Sequence, residues 1–155
     1  SNSNLNHLVE EKRNIDHGTD SPLNAYKFDE TIISLENLED FTNHTSFRND
    51  SVSHKQFINL QKMFTKSMRY EVIDLHHEKS TLSGLNALND FFDKCFGKIT
   101  HLKIIHGKGN HSRNNFSPMR SMVRKFLLNT SIVLAFCEAE LKDGGNGATY
   151  VLIKK

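Results

Sequence analysis

No run in this chain approaches the roughly 18 apolar residues of a membrane-spanning helix, so none is expected. No basic region followed by an apolar stretch opens it, so no signal peptide is read there, and a cytoplasmic location is expected. Cysteine is scarce. Cys95 and Cys137 both sit in apolar-periodic segments and read as buried thiols in a reducing compartment, not as a disulfide or a metal site. Apolar content is 37% of 155 residues, low for a fully packed chain, so part of it is expected to lie outside a core. The length suits one domain with an extension.

The most informative absence is of negative charge. Residues 1–69 hold 8 Lys/Arg against 10 Asp/Glu, and residues 70–155 hold 12 against 8. From Lys94 through Cys137 there is no acidic residue at all. That stretch carries Lys94, Lys98, Lys103, Lys108, Arg113, Arg120, Arg124 and Lys125, with His101, His106 and His111. A solvated surface normally mixes signs. An acid-free tract of this length points to a polyanionic partner, most simply nucleic acid.

What is present divides the chain. Residues 1–53 read as a flexible extension, with an acidic amphipathic helix over 28–41 (Phe28, Ile32, Leu35, Leu38, Phe41) and a polar linker after it. Residues 54–69 read as a basic amphipathic helix leading into the domain. Phe57, Leu60, Phe64 and Met68 share one side, and Lys55, Lys62 and Lys66 the other. Residues 70–155 read as the domain. "YEVIDL" and "THLKIIH" are strands, and "SIVLAF" and "ATYVLI" follow as two more. Ser80 or Thr81 caps a helix with Leu82, Leu85, Leu88, Phe92 and Phe96 at helical spacing. Ser117-Pro118 starts a second helix that Asn129 closes, with Arg120 and Arg124 on its exposed face. The fold expected is α/β, an α+β-like two-layer sandwich. It is a βαβαββ mixed sheet with two helices on one face, plus the N-terminal helical extension. The other face is either open or covered by residues 54–68.

Two strand ends carry chemistry. In "VIDLH", Asp74 and His76 project to one side, and a carboxylate beside an imidazole fixes its tautomer and raises its basicity. A surface salt bridge would explain the same three letters. In "IIHGKG", Gly107 and Gly109 let backbone approach an anion and Lys108 supplies charge. It is not a Walker A loop. A strand, a helix and a second strand in this order form a βαβ unit, which requires the first two strands to be parallel. His76 and His106 then end at one edge of the sheet, where such sheets bind ligands.

The ordered set "DLH", "IIHGKG", "SPMRSMVRKFL", "VLAF" and "GGNGATYVLI" resembles the Smr (small MutS-related) domain over about residues 70–153. The segment containing "SHKQFINLQKMF" looks like the extension of stand-alone bacterial members. The resemblance implies a fold like the C-terminal domain of bacterial translation initiation factor three. It also implies nicking or cleavage of nucleic acid, and stand-alone members include an endonuclease that cuts mRNA at collided ribosomes. The family's DLH and HGxG motifs fall on Asp74, Leu75, His76 and on His106, Gly107, Lys108, Gly109. The family usually has glycine after DLH, and here stands His77. A left-handed turn at that position would cost histidine about 1 kcal/mol.

The expected function is RNA cleavage by acid–base catalysis. His76, oriented by Asp74, deprotonates the neighbouring 2′-OH, and His106 protonates the leaving oxygen. Lys108 and the Gly107 and Gly109 amides stabilise the phosphorane, while Arg113, Arg120 and Arg124 hold phosphates. His77 and His111 are added as further candidates without a fixed role. No cofactor is required on this reading, since one aspartate and two histidines are a thin metal set. RNA is favoured over DNA as partner, with the ribosome reached through the N-terminal extension. A non-catalytic nucleic-acid or ribosome-binding module and a DNA-nicking enzyme are the rival readings.

Overall fold

The computed structural model describes residues 34–109 and 116–155. Among the described residues, three α-helices, α1 (His54–Gln61), α2 (Thr81–Cys95) and α3 (Pro118–Leu128), pack on a five-stranded sheet. Its strands are β1 (Phe47–Arg48), β2 (Glu71–Asp74), β3 (His101–Ile105), β4 (Val133–Glu138) and β5 (Ala148–Ile153). Their spatial order is β1-β4-β5-β3-β2. Among the described strands only β2 and β3 are parallel, with Ile73 opposite Ile104 and Asp74 opposite Ile105. The remaining pairs are antiparallel.

The helix signals in the sequence act locally. Ser80 caps α2 in a reciprocal box with Ser83. Ser117 caps α3 with proline at its first position, and Asn129 ends it. Leu85, Leu88 and Phe92 of α2 meet Met122, Val123 and Phe126 of α3 over the sheet's Leu102, Ile104, Phe136 and Val151. The two helices approach closely at Gly84, where a Cβ would lie 2.5 Å from Met119 Sδ. Leu82, expected on this face, is instead exposed.

Strand β5 is buried at every residue. A strand apolar on both faces needs cover on both, which explains its central place. The second face is covered by α1, whose Leu60, with Met63 just beyond, packs on Ala135, Cys137, Tyr150 and Leu152. Both cysteines are buried free thiols. Helix α1 is shorter than the expected 54–68. It ends at Gln61, and the chain then turns through Ser67, whose φ is +51°. Met63 is therefore buried, while Phe64 is exposed with the Lys142 ammonium 5.7 Å from its ring centre.

The N-terminal segment shows two departures. The expected linker 42–53 contains β1, which pairs with β4 at the sheet edge and sets Phe47 opposite Phe136. Two residues are too few for a periodic signal. Of the expected helix over 28–41, residues 28–33 lie outside the described residues. The rest forms only a 3-10 turn at Leu38–Phe41. Leu38 and Phe41 are buried in the α2–α3 core. The apolar side of this piece therefore docks on its own domain. Among the described residues, no helix is long and apolar enough to cross a membrane.

Candidate active site

Strand β2 ends at Asp74 and the chain turns at once, with the Glu78 amide donating to the Leu75 carbonyl at 3.0 Å. Leu75 is fully buried, and its amide donates to the Ile105 carbonyl at 2.7 Å. This anchor leaves Asp74, His76 and His77 exposed on one rim. The His76 Nδ1–H donates to Asp74 Oδ1 at 2.5 Å, and the His76 amide donates to the same oxygen at 3.0 Å. A carboxylate only accepts, so the free lone pair of His76 is on Nε2. Burial is the largest influence on the Asp74 carboxyl and raises its pKa. The bonds from the His76 ring and amide together outweigh it, and the net shift is downward. His77 stacks on His76 with ring centres 3.6 Å apart. Its backbone is not left-handed: among the described residues only Asn37 and Ser67 are non-glycine with positive φ. The turn thus accepts histidine without the strain expected from the family's glycine.

The second strand end arrives beside the first. A Cβ on Gly107 would lie 3.5 Å from His76 Cβ. Gly107 and Gly109 have φ of +85° and +71°, which suits glycine. Lys108 is exposed. His106 is not. It is 4% exposed, its Nδ1–H donates to the Gly107 carbonyl at 3.0 Å, and its Nε2 accepts from the Thr149 hydroxyl at 2.9 Å. Burial pushes its pKa down to about 4. A buried, neutral, doubly bonded imidazole does not suit the role of proton donor to a leaving oxygen. It suits holding the loop. The Gly107 amide is also engaged, donating to the Gly147 carbonyl at 2.9 Å, so it is not turned toward a phosphate.

Two of the three arginines expected to face phosphate, Arg120 and Arg124, are inside. Arg120 is buried, and its Nη1 donates to the Lys108 carbonyl at 3.3 Å and the Asn146 carbonyl at 3.4 Å. Arg124 is buried, donates to the Thr42 carbonyl and pairs with Glu138 at 3.3 Å. Burial, with Arg120 nearby, lowers its pKa to about 10, which leaves it charged at neutral pH. Lys125 donates to the Glu36 carbonyl at 2.9 Å, and Lys103 pairs with Asp143 at 2.7 Å. The polar side of α3 looks solvated in sequence, but residues 36–42 lie over it. Arg113 and His111 fall outside the described residues. Replacing Arg124 with alanine is expected to cost about 2 kcal/mol, since a charged hydrogen bond is lost while the partly exposed Glu138 can be resolvated. Urea unfolding measures this, and faster proteolysis near Thr42 would accompany it.

Three contributors escaped sequence reading: Asn146, Gly147 and Thr149. The Gly147 carbonyl accepts from the His106 amide at 3.1 Å as well as from Gly107. A Cβ on Gly147 would lie 3.0 Å from Lys108 Cγ. "GGNGAT" reads as a turn entering a strand. Only the pairing of β5 with β3, which sets Ala148 opposite Ile105, brings it under the HGKG loop.

Comparison with known proteins places this geometry. Over 57 residues the chain is 37% identical to the Probable DNA endonuclease SmrA of Escherichia coli (strain K12), covering 37% of this chain and 30% of that protein. The match therefore spans less than a third of the relative's length. The fold is similar to that of YdaL, a stand-alone small MutS-related protein from Escherichia coli. The TM-score is 0.60 and the identity 25%, over 71% of this chain and 82% of that one. The Smr domain of Thermus thermophilus MutS2 aligns with a TM-score of 0.48 and 22% identity, over 55% of this chain and 99% of that one. The Smr domain family matches residues 73–154, from the strand that ends in Asp74 through the whole of β5, and the chain belongs to that family.

Proposed function

We propose that this protein is an endonuclease that cleaves RNA by base catalysis at His76. The observation that carries the reading is the exposed Asp74–His76 pair beside the HGKG loop at one sheet edge. Asp74 holds the His76 ring through Nδ1, and Nε2 faces outward as the base. It takes the proton of a ribose 2′-OH, and the resulting alkoxide attacks the adjacent phosphorus. The imidazolium formed is stabilised by the Asp74 carboxylate. Lys108, the exposed cation on the neighbouring loop, offsets charge on the phosphorane and protonates the departing 5′ oxygen. His106, Thr149 and Arg120 are positioning residues that hold the loop from below. This chemistry needs no cofactor.

A nucleic-acid strand has a path toward the site. A cleft of about 370 Å³ beside β2 is lined by Arg69, Lys94 and Lys98 against the single carboxylate of Glu71, with Phe91 and with Val72, two residues from Asp74. Cations with an aromatic and apolar floor suit a single strand. Any docking on the ribosome would fall to residues 1–33, because Leu38 and Phe41 are buried on α3.

The 2′-OH mechanism predicts 2′,3′-cyclic phosphate and 5′-hydroxyl ends, produced equally with and without EDTA. End-labelled RNA analysed by gel and phosphatase sensitivity reads both. The name of the relative SmrA favours a second reading, in which DNA is nicked. DNA lacks the 2′-OH, so water would be the nucleophile. Ends bearing 5′-phosphate, or activity on DNA alone, would replace the RNA reading with that one.

A further inference from the structure

His77 is the position at which this chain departs from the family's glycine, and the mechanism above leaves it without a task. The structure sets it beside two other metal-ligating groups. Asp74, His76 and His77 each offer a ligand atom, and these atoms all lie within 4.8 Å of one another. All three are exposed, so their side chains can adjust. Ligands at about 2.0–2.1 Å from Zn²⁺ stand about 3.3 Å apart in a tetrahedron, and separations of no more than 4.8 Å are within about 1.5 Å of that. The turn itself need not change, because Leu75 anchors it and both imidazoles already stack at 3.6 Å.

We infer that Asp74, His76 and His77 form a site for a borderline transition-metal ion such as Zn²⁺, and that occupancy switches off cleavage by occupying the base. Two imidazoles and one carboxylate are the donor set that Zn²⁺, Ni²⁺ and Cu²⁺ prefer, whereas Mg²⁺ prefers oxygen. The inhibitory half rests on the proposed role of His76 and follows from its electron count. A neutral imidazole has one lone pair. Used for the metal, it cannot also take a proton from a ribose hydroxyl. The 2.5 Å contact between His76 Nδ1 and Asp74 Oδ1 is also shorter than two ligands of one ion tolerate. If those two atoms are the ligands, binding opens the orienting pair as well. Base catalysis and metal occupancy therefore exclude one another at this rim.

The test titrates ZnCl₂ into the full chain by calorimetry, in chelator-free buffer, for wild type, His77→Gly and His77→Gln. Co²⁺ absorption provides a second binding readout, and circular dichroism confirms the fold of each variant. Loss of one of three ligands is expected to weaken the His77-dependent binding about tenfold or more. RNA cleavage by wild type should fall in proportion to zinc occupancy and return on EDTA. Both His77 variants should cleave normally at zinc concentrations that silence wild type. Equal zinc affinity in wild type and the His77 variants overturns the site, as does absence of binding. Zinc bound through His77 without effect on cleavage overturns the switch. If no form cleaves RNA yet zinc binding still depends on His77, the nuclease reading falls with the switch and the metal site stands.

Discussion

Replacing His76 with alanine is expected to slow RNA cleavage by about 10²- to 10⁴-fold, the usual contribution of a positioned general base. The fold should be unaffected, because the ring is exposed and its hydrogen bond goes only to the equally exposed Asp74. Their side chains are 44% and 42% exposed, so the pair adds little to stability. Single-turnover cleavage with saturating protein isolates the chemical step from RNA binding. An Asp74→Asn variant should lie between wild type and His76→Ala, since the imidazole remains but its orientation and the charge behind it are lost. Unchanged cleavage in His76→Ala would remove the base mechanism and leave nucleic-acid binding as the function.

The second large effect is on stability in acid. His106 has an ordinary pKa near 6.5 when unfolded and about 4 in the folded protein, because burial disfavours the charged ring. Between those values the unfolded chain binds the extra proton and the folded one does not. Stability from this group is thus complete above pH 6.5, declines as pH falls, and is lost by about pH 4. The difference corresponds to about 3 kcal/mol. Urea unfolding of wild type and His106→Gln across this window measures it. The variant should start less stable at neutral pH, having lost the bonds to Gly107 and Thr149, and should lose less on acidification. His44 and His101 are shifted down as well, so the difference between the two proteins is the quantity to read. Parallel pH profiles would show that His106 is not held neutral by its site.

Much of the architecture was legible because it depends on local chemistry. The caps at Ser80 and Ser117, the proline at 118, and the apolar stripes of α2 and α3 act within a turn or two of their own position. The parallel pairing of β2 and β3 followed from the helix that connects them as a βαβ unit, and so did the meeting of "VIDLH" with "IIHGKG" at one edge. Errors arose where burial is decided by distant chain. Arg120 and Arg124 have the spacing of a solvated face, yet two loop carbonyls and residues 36–42, which also hold Lys125, take their charges inside. The acid-free tract was a true property of the sequence, but a count of charges does not say which ones meet solvent. Of the described residues singled out there, Lys94, Lys98 and Lys108 remain exposed.

The two histidines make the same division at the level of the site. Each follows an apolar strand and each precedes a turn, so nothing local distinguishes His76 from His106 as a chemical group. Sequence alone brought them to one rim, because the hydrophobic pattern and the crossover rule leave few other arrangements. Their different fates depend on β5. It inserts beside β3 and brings Gly147 and Thr149 beneath His106, while among the described residues β2 has no strand on its outer side to cover His76. A strand order in which the last strand, β5, lies between β3 and β4 cannot be read from periodicity. It is settled by which apolar surfaces can all be covered at once, and that is a property of the whole chain.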